Sequence, residues 1–226
     1  MSGRGVLVKY LVRPMVTQDI SQVSEIEREV FPTQWPPTVY KRELQNKLAH
    51  YLVAVEPPEP GHSTSVSEQA GESVPVTVKT RYKRWLSRIK AFIKREPLAN
   101  QEEDVKPPEP VIGAIGFWLI LDEAHITTIG VRKTYQRQGI GELLLIKAIE
   151  LAKELGAQVI TLEVRISNTV PQALYEKYGF QRVGSRRAYY SDNKEDALIM
   201  TTDHITSASY QAKFQLLKEE HSQRWN

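Results

Sequence analysis

The sequence predicts a mixed α/β fold of the α+β kind, built around one mixed sheet. Short apolar runs with the length of strands alternate with segments whose apolar residues recur at helical spacing. A polar turn with two glycines, Gly139 and Gly141, follows one predicted strand and opens a long amphipathic helix, after which another strand comes. This strand–turn–helix–strand order is typical of a crossover at the centre of a sheet.

Composition narrows the class of protein. The chain has 226 residues, of which 41% are apolar, so it can bury a sizeable core. It contains no cysteine, which excludes a disulfide framework and a thiol nucleophile and favours a reducing cytosol. No apolar run approaches the roughly 18 residues of a spanning helix, and the N-terminal residues lack the layout of a signal peptide. We therefore expect a cytoplasmic protein.

The N-terminal elements follow from apolar spacing. Val6–Met15 predicts a first strand, and His50–Glu56 predicts a second. The apolar residues after the first strand recur at the spacing of a helix: Ile20, Val23, Ile26 and Val30. The segment "PPTVYKRELQN" predicts a short second helix, because prolines are tolerated in the first turn.

An insertion interrupts this pattern. The tetrapeptide "PPEP" occurs at Pro57–Pro60 and again at Pro107–Pro110, so residues 57–110 form a predicted insertion with loose arms rich in Ser, Glu, Gly and Pro. Within it, residues 79–96 predict a basic amphipathic helix, with aromatic and aliphatic residues on one face. Three interpretations stay open: docking of the apolar face onto the domain, binding to an anionic membrane surface, and binding to ribosomal RNA. The second would make the protein peripheral to a membrane.

The C-terminal half supplies the remaining elements. Its predicted strands are "VIGAIGFWLILDE", "AHITTIGV", "VITLEV", "RVGSRRAYY" and "ALIMTT", and its predicted helices follow the glycine turn, contain "PQALYEKYGF" and cover Ser207–Arg224. Residues 1–56 and 111–204 therefore form one predicted domain, and residues 205–226 form a helical tail.

The glycine turn predicts an anion site. Glycines let backbone N–H groups approach a phosphate, and a helix N-terminus adds the positive end of its dipole. A Walker A loop would need Lys-Ser/Thr after Gly141, where Glu142-Leu143 stands, and a dinucleotide turn would need a third glycine in register. From the turn alone, ordinary helix-start glycines remain an alternative.

Longer motifs decide between these readings. Gln136–Gly141 matches the Q/R-x-x-G-x-G/A motif of the GNAT acetyltransferase superfamily, and "LEVRISNTVPQALYEKYGF" (Leu162–Phe180) resembles that superfamily's second half. "RRAYYSDNKEDALIM" (Arg186–Met200) resembles one branch, the RimI-like ribosomal-protein alanine N-acetyltransferases. The resemblance runs from Ala124 to about Thr202, with weaker support from "FPTQWPPTVY" near the N-terminus. It implies the GNAT fold and acetyl-CoA as co-substrate, without a metal.

The resemblance also implies where acetyl-CoA binds. Its pyrophosphate would lie on the backbone of the residues of the turn: Arg137, Gln138, Gly139, Ile140, Gly141 and Glu142. Its pantetheine arm would follow Ile129, Gly130 and Val131, with the Val131 N–H directed at the thioester oxygen. Gly130 stands where the family has alanine, and we expect it to ease a bulge in this strand. Asn168 would hydrogen-bond the cofactor.

Two residues are the expected catalytic pair. A protein α-amine titrates at about 7.7–8.0, so one nearby carboxylate can serve as its base. Glu163 is the only acid in "VITLEVRIS", and the matching glutamate of the family is the proton acceptor; the alternative is a surface glutamate paired with Arg165. Tyr175 matches the family tyrosine that protonates the coenzyme A sulfur; the alternative is simple packing. Tyr178 is expected in the core.

Substrate contacts are expected on two sides. Tyr189, Tyr190 and Glu195 fall in the loop that covers the acceptor peptide in the family, and Phe31 and Trp35 would line the opposite wall. The alternative is packing within the hairpin. The predicted activity is acetyl transfer to a protein N-terminal α-amine, of Ala or Ser type and on a ribosomal protein. A GNAT enzyme for lysine or small amines, and a non-catalytic acetyl-CoA-binding module, are the competing hypotheses.

Overall fold

The structure is a computed structural model that describes residues 10–32, 36–56 and 109–225. Its strands are β1 (Leu11–Pro14), β2 (Ala49–Val55), β3 (Val111–Ile120), β4 (Glu123–Val131), β5 (Val159–Arg165), β6 (Phe180–Arg186) and β7 (Ala197–Thr202). Its helices are α1 (Ile20–Val30), α2 (Pro37–Glu43), α3 (Ile140–Glu154), α4 (Thr169–Lys177) and α5 (Ala208–Trp225). Residues 57–108, including the predicted basic helix 79–96, lie outside the described residues.

The strands form one seven-stranded sheet in the order β1-β2-β3-β4-β5-β7-β6. Every neighbouring pair is antiparallel except β4 and β5, which are parallel. Because a parallel pair needs a crossover, α3 is the connection between these two strands. The predicted mixed α/β fold is therefore confirmed.

The parallel pair is short, and the two strands then separate. β4 and β5 pair only from Glu123–Ile126 to Val159–Leu162. The register of β4 against β3 shifts at Thr127, the extra residue of a β-bulge. Beyond it, β4 remains paired with β3 as far as Val131, while β5 is paired with β7 as far as Arg165. A cleft therefore opens in the middle of the sheet.

Helices cover both faces of the sheet. On one face, α1 and α2 pack on β1, β2 and β3 in a cluster of buried apolar residues that includes Met15, Ile26, Tyr40 and Val53. On the other face, α3 packs against β3, and a Cβ at Gly113 would lie 3.1 Å from Leu144. The core is thus two apolar layers with the sheet between them.

The C-terminal helix α5 docks along the domain through one stripe of residues: Tyr210, Phe214, Lys218, His221 and Trp225. Tyr210 donates a hydrogen bond to the Tyr178 carbonyl at 3.0 Å, and Lys218 forms an ion pair with Glu150 of α3 at 2.5 Å. The stripe ends at the glycine turn, where His221 and Trp225 both contact Gly139.

Candidate active site

The glycine turn has the backbone of an anion-binding loop. Arg137 and Gly139 both have left-handed φ angles, +61° and +77°, and Gly139 is the N-cap of α3. The N–H groups of the first helical turn, from Ile140 to Glu142, have no acceptor within the helix. The predicted pyrophosphate-binding residues therefore lie together around one helix N-terminus, with donors suited to a phosphate.

Gly139 is required for a second reason. A Cβ at this position would lie 2.5 Å from Nε1 of Trp225 and 2.6 Å from its Cδ1, distances that no side chain tolerates. His221 donates its Nε2–H to the Gly139 carbonyl at 3.0 Å, which orients this peptide group. No sequence motif indicates either α5 residue, although the stripe from Tyr210 to Trp225 has helical spacing.

Glu142 is held away from the turn by its side-chain partners. Its carboxylate accepts hydrogen bonds from Lys177 at 2.7 Å and from the Tyr178 hydroxyl at 2.8 Å. Burial alone would raise the pKa of Glu142, but these bonds outweigh it and the pKa is lowered. The expectation that Tyr178 belongs to the core is confirmed, because the residue is buried.

The end of β4 lies next to the glycine turn. A Cβ at Gly141 would meet Val131 at 3.7 Å, an ordinary contact, so the turn and the predicted pantetheine strand Ile129–Val131 are neighbours. The expected role of Gly130 in the bulge is wrong: Gly130 pairs regularly with Ala114, and the bulge is at Thr127. The reason for glycine at position 130 is packing, since a Cβ there would lie 3.2 Å from Val30 of α1 and 3.6 Å from the Phe31 ring.

Glu163 projects from β5 at the point where the two strands have separated. Its side chain is only 7% exposed. Its Oε2 lies 2.6 Å from His125 Nε2 on β4, and its Oε1 lies 3.0 Å from Arg186 Nε on β6. The alternative interpretation, in which Glu163 is a surface residue paired with Arg165, is wrong. Neither His125 nor Arg186 was expected; the informative feature was a histidine alternating with apolar residues at the start of β4.

Arg165 instead organises the loop between β6 and β7. Its guanidinium pairs with Asp192 at 2.8 Å and Glu195 at 3.1 Å, and stacks 3.8 Å above the Tyr190 ring. Glu195 also accepts the Ser167 N–H at 2.8 Å. Hydrogen bonds from Ser167, and then from Asn193 and Arg165, lower the pKa of Glu195 to about 2. Glu195 therefore fastens the loop to the start of α4.

Tyr175 lies on α4, the helix whose start Glu195 connects to this loop. It is buried, and its ring packs against Phe180 with the centroids 5.7 Å apart. Burial, with a smaller contribution from Tyr190, raises the pKa of Tyr175 well above that of a free tyrosine. The hydroxyl therefore keeps its proton at neutral pH, as a proton donor must.

The predicted substrate residues separate into three groups. Tyr189 and Tyr190 pack edge to face, 5.2 Å between centroids, and Tyr189 is 48% exposed, beside Arg186 and Glu163. Phe31 lies across the cleft, against Gly130. Trp35 lies outside the described residues. Asn168 is the exposed N-cap of α4, and its side chain makes no capping hydrogen bond.

A turn suited to an anion, a cleft between two strands and a carboxylate in that cleft together favour acyl transfer. Comparisons with known proteins indicate the same class of enzyme. Residues 72–180 match the model of the acetyltransferase (GNAT) family. A Bacillus subtilis protein, provisionally named a ribosomal protein bS18-alanine N-acetyltransferase, is 34% identical over 193 residues, covering 85% of this chain and 94% of its own. The Escherichia coli (strain K12) ribosomal protein bS18-alanine N-acetyltransferase is 45% identical over 84 residues, covering 36% of this chain and 57% of its own.

Solved structures show the same fold. The crystal structure of the Escherichia coli ribosomal-protein-S18-alanine N-acetyltransferase superposes with a TM-score of 0.59 at 23% identity, covering 88% of this chain and 96% of that one. Arabidopsis thaliana NAA60 in complex with acetyl-CoA gives a TM-score of 0.58 at 14% identity, covering 85% and 97%. The chain belongs to the GNAT acetyltransferase family. It is an acyltransferase, and its relatives include RimI-like enzymes.

Two negative findings apply to the described residues alone. In the ranges 10–32, 36–56 and 109–225, no helix is both long and apolar enough to cross a membrane. Within the same ranges, His, Asp and Glu side chains form no cluster of three or more that could hold a metal ion. Cytoplasmic location stays a prediction.

Proposed function

We propose that this protein transfers an acetyl group from acetyl-CoA to the α-amine of a protein N-terminus, of the Ala or Ser type found on a ribosomal protein. One observation carries the proposal: a buried carboxylate, Glu163, stands in the cleft between β4 and β5, within the same site as a helix N-terminus suited to a pyrophosphate. The names of the relatives supply the acceptor. Lysine or small-amine acetylation would use the same fold with a different acceptor wall.

The residues present fit acetyl-CoA. The first-turn N–H groups of α3 are unused within the helix and would hold the pyrophosphate. Among the described strands, none pairs with the edge of β4 from Ile129 to Val131 on its β5 side, because β5 has separated from it. Its backbone groups there would hold the pantetheine arm, and Asn168 would contact the same arm from α4. When bound, the cofactor supplies an activated acetyl thioester.

Two side chains perform the proton transfers. The acceptor amine, with a pKa of about 7.7–8.0, is partly neutral at physiological pH. Glu163 supplies the carboxylate of the base that removes its remaining proton as the new bond forms, acting directly or through a group bound to it. Tyr175, whose hydroxyl is protonated at neutral pH, donates a proton to the departing sulfur. The Val131 N–H is the proposed donor to the thioester oxygen.

The acceptor would enter between two aromatic walls. Tyr189 and Tyr190 stand on the loop that Arg165 and Glu195 fasten in place. Phe31 lies on the opposite side, at the end of α1. An entrance lined by aromatic rings suits an extended N-terminal peptide.

The test is a thiol-release assay with acetyl-CoA and a peptide panel. The panel contains free N-termini beginning with Ala, Ser, Gly or Met, N-blocked peptides with an internal lysine, and spermidine. We expect turnover on free termini only. Turnover confined to blocked lysine peptides or spermidine would overturn the acceptor assignment, and acetyl-CoA binding without turnover on any acceptor would favour a binding module.

Variants then test the catalytic roles. Glu163→Gln and Tyr175→Phe should each lower kcat by about 10²–10⁴-fold, because each removes one proton-transfer group. Calorimetry should show unchanged acetyl-CoA affinity. Glu176→Gln is the matched control: it removes an exposed carboxylate that pairs with Arg182 on the outer side of α4, and should leave turnover unaltered.

A further inference from the structure

Both oxygens of the Glu163 carboxylate are already occupied. Oε2 lies 2.6 Å from His125 Nε2, and Oε1 forms an ion pair with Arg186 at 3.0 Å. The side chain is 7% exposed, whereas that of His125 is 29% exposed. An amine that used Glu163 directly would have to displace one of these partners. His125 is the more accessible member of the pair.

The chemistry of the pair fixes the state of the imidazole. A neutral imidazole has one N–H and one lone pair, and the ionised carboxylate is an acceptor only. Nε2 of His125 therefore carries the proton and donates it to Glu163, which leaves the lone pair on Nδ1. The His125 side chain makes no other hydrogen bond within residues 10–32, 36–56 and 109–225. A carboxylate that orients an imidazole in this way is a familiar means of preparing a base.

His125 is also on the correct face of the sheet. It pairs with Trp118 on β3, and Gly130 pairs with Ala114 four residues earlier on that strand. Both β3 residues pack on the α1–α2 cluster, so His125 shares a face with Gly130, which Phe31 contacts. Glu163 is on this face as well, two residues beyond Thr161, the partner of His125 in β5.

We propose that His125 is the group that accepts the proton of the acceptor amine, and that Glu163 orients it and stabilises its protonated form. This inference rests on the proposed function and assigns a further catalytic residue to it. The lone pair on Nδ1 can accept a proton without displacing either of the partners that occupy the Glu163 carboxylate. Charged and titratable groups facing the pair are Arg186 on β6 and Tyr189 in the next loop; Glu43 of α2 bonds the indole of Trp118 on β3.

Acetyl transfer through His125 moves one proton from the amine to the ring and one proton from Tyr175 to the sulfur. The neutral amine nitrogen forms a bond to the acetyl carbon, and its proton passes to His125 Nδ1. The carbon–sulfur bond breaks with its electron pair on sulfur, which takes the proton of the Tyr175 hydroxyl. The imidazolium then returns its proton to water, and Tyr175 regains one. Through the reaction Glu163 remains an anion beside a cationic or neutral ring.

The test is His125→Gln, because the glutamine Nε2–H can keep the hydrogen bond to Glu163 but offers no titrating nitrogen in place of Nδ1. We expect kcat to fall about 10²–10⁴-fold, while the acetyl-CoA dissociation constant and the thermal midpoint stay unchanged. The double variant with Glu163→Gln should be little slower than either single variant, since the two residues act as a unit.

A second variant guards against a folding defect. Added imidazole should restore part of the turnover of His125→Ala and none of the turnover of Glu163→Gln. If His125→Gln keeps kcat within about threefold of the parent, or if imidazole restores no turnover to His125→Ala, His125 is only structural and the inference is overturned, although the proposed function stands. If the unsubstituted protein turns over no acceptor of the panel, both fall together.

Discussion

At Gly139 the backbone has a φ of +77°, a region that costs a residue with a side chain about 1–2 kcal/mol. The indole of Trp225 lies where a Cβ would be. Conformation and packing thus restrict the same position independently. The consequence is that even alanine, the smallest change, should disturb both the fold and the proposed phosphate site.

Gly156 offers a matched control for this position. It has a φ of +97°, but a Cβ there would meet nothing within 4 Å. Gly156→Ala should lower the free energy of unfolding by about 1–2 kcal/mol, the cost of conformation alone. Gly139→Ala should lower it by about 1–3 kcal/mol more, because the indole must shift, and should also weaken acetyl-CoA binding.

Denaturant unfolding and calorimetry measure the two effects. Adding Trp225→Ala to Gly139→Ala should recover part of the difference between the glycine variants. Equal destabilisation by the two alanines would show that the Trp225 contact is not a constraint in solution.

At the scale of single residues, sequence motifs predict the residues within them but not the residues that contact them from elsewhere in the chain. The glycine turn, Glu163 and Tyr175 lie in contiguous motifs, so the sequence alone is enough to propose them. Their contact partners are distant in the sequence and belong to no motif: His125 is 38 residues from Glu163, and His221 is 82 residues from Gly139. Pairing across a sheet or between helices is set by the whole fold, so no local pattern of residue types predicts it.

On the scale of elements, predicted strands and helices largely match the structure, and a mismatch has a local cause. The predicted strand Arg182–Tyr190 ends at Arg186. Ala188 then has a φ of +47°, and its N–H bonds to the Asp196 carboxylate at 2.8 Å. Alternating residue types cannot reveal such a turn, because the left-handed residue is alanine rather than glycine.

Helix α5 should support the cofactor site from behind. Trp225→Ala should raise the acetyl-CoA dissociation constant several-fold, because the Gly139 peptide loses the packing that holds it. Leu216→Ala is the control, since Leu216 is 62% exposed on the same helix. Isothermal calorimetry on both variants makes the comparison, and equal affinities would remove α5 from the site.

The stability that α5 contributes to the fold should depend on pH through His221. Burial lowers the pKa of His221, against the opposing effects of the Gly139 carbonyl and Glu142 and with smaller contributions from Lys177 and Arg224. The folded state therefore favours the neutral ring, and the unfolded state binds more protons below about 6.5. Stability should fall as the pH drops through that value. His221→Gln keeps a donor to Gly139 and should flatten the dependence of Tm on pH between about 5 and 7; an unaltered slope would contradict this assignment.

On the scale of the whole molecule, the role of the insertion can be tested by deletion. Val55 at the end of β2 pairs with Val111 at the start of β3, so the strands on either side of the insertion are already joined to each other. Replacing residues 57–109 by a short Asn-Gly turn should therefore preserve the fold and, within about threefold, turnover on short peptides. Thermal unfolding and the thiol-release assay test this, with the unsubstituted chain alongside. Lost turnover would show that the insertion contributes to the acceptor site.

The sequence motifs predict the fold, but the sequence does not predict the function of the insertion. A basic amphipathic helix can bind a membrane, RNA or a protein surface, because the same arrangement of charge and apolar area allows all three interactions. The domain boundaries drawn at the two "PPEP" segments stay a prediction. A catalytic motif predicts one function because the reaction requires particular residues at a particular spacing. A basic helix face is compatible with several kinds of partner.

The contact of α5 with the glycine turn also affects when conformational entropy is lost. A loop with two left-handed residues would ordinarily be ordered only when its ligand arrives, and that ordering weakens binding. Here Trp225 and His221 hold Gly139 before any ligand is present, so the loss of freedom occurs during folding. Cofactor association should then resemble docking onto a rigid surface, with a rate set by diffusion and orientation rather than by a rearrangement of the loop.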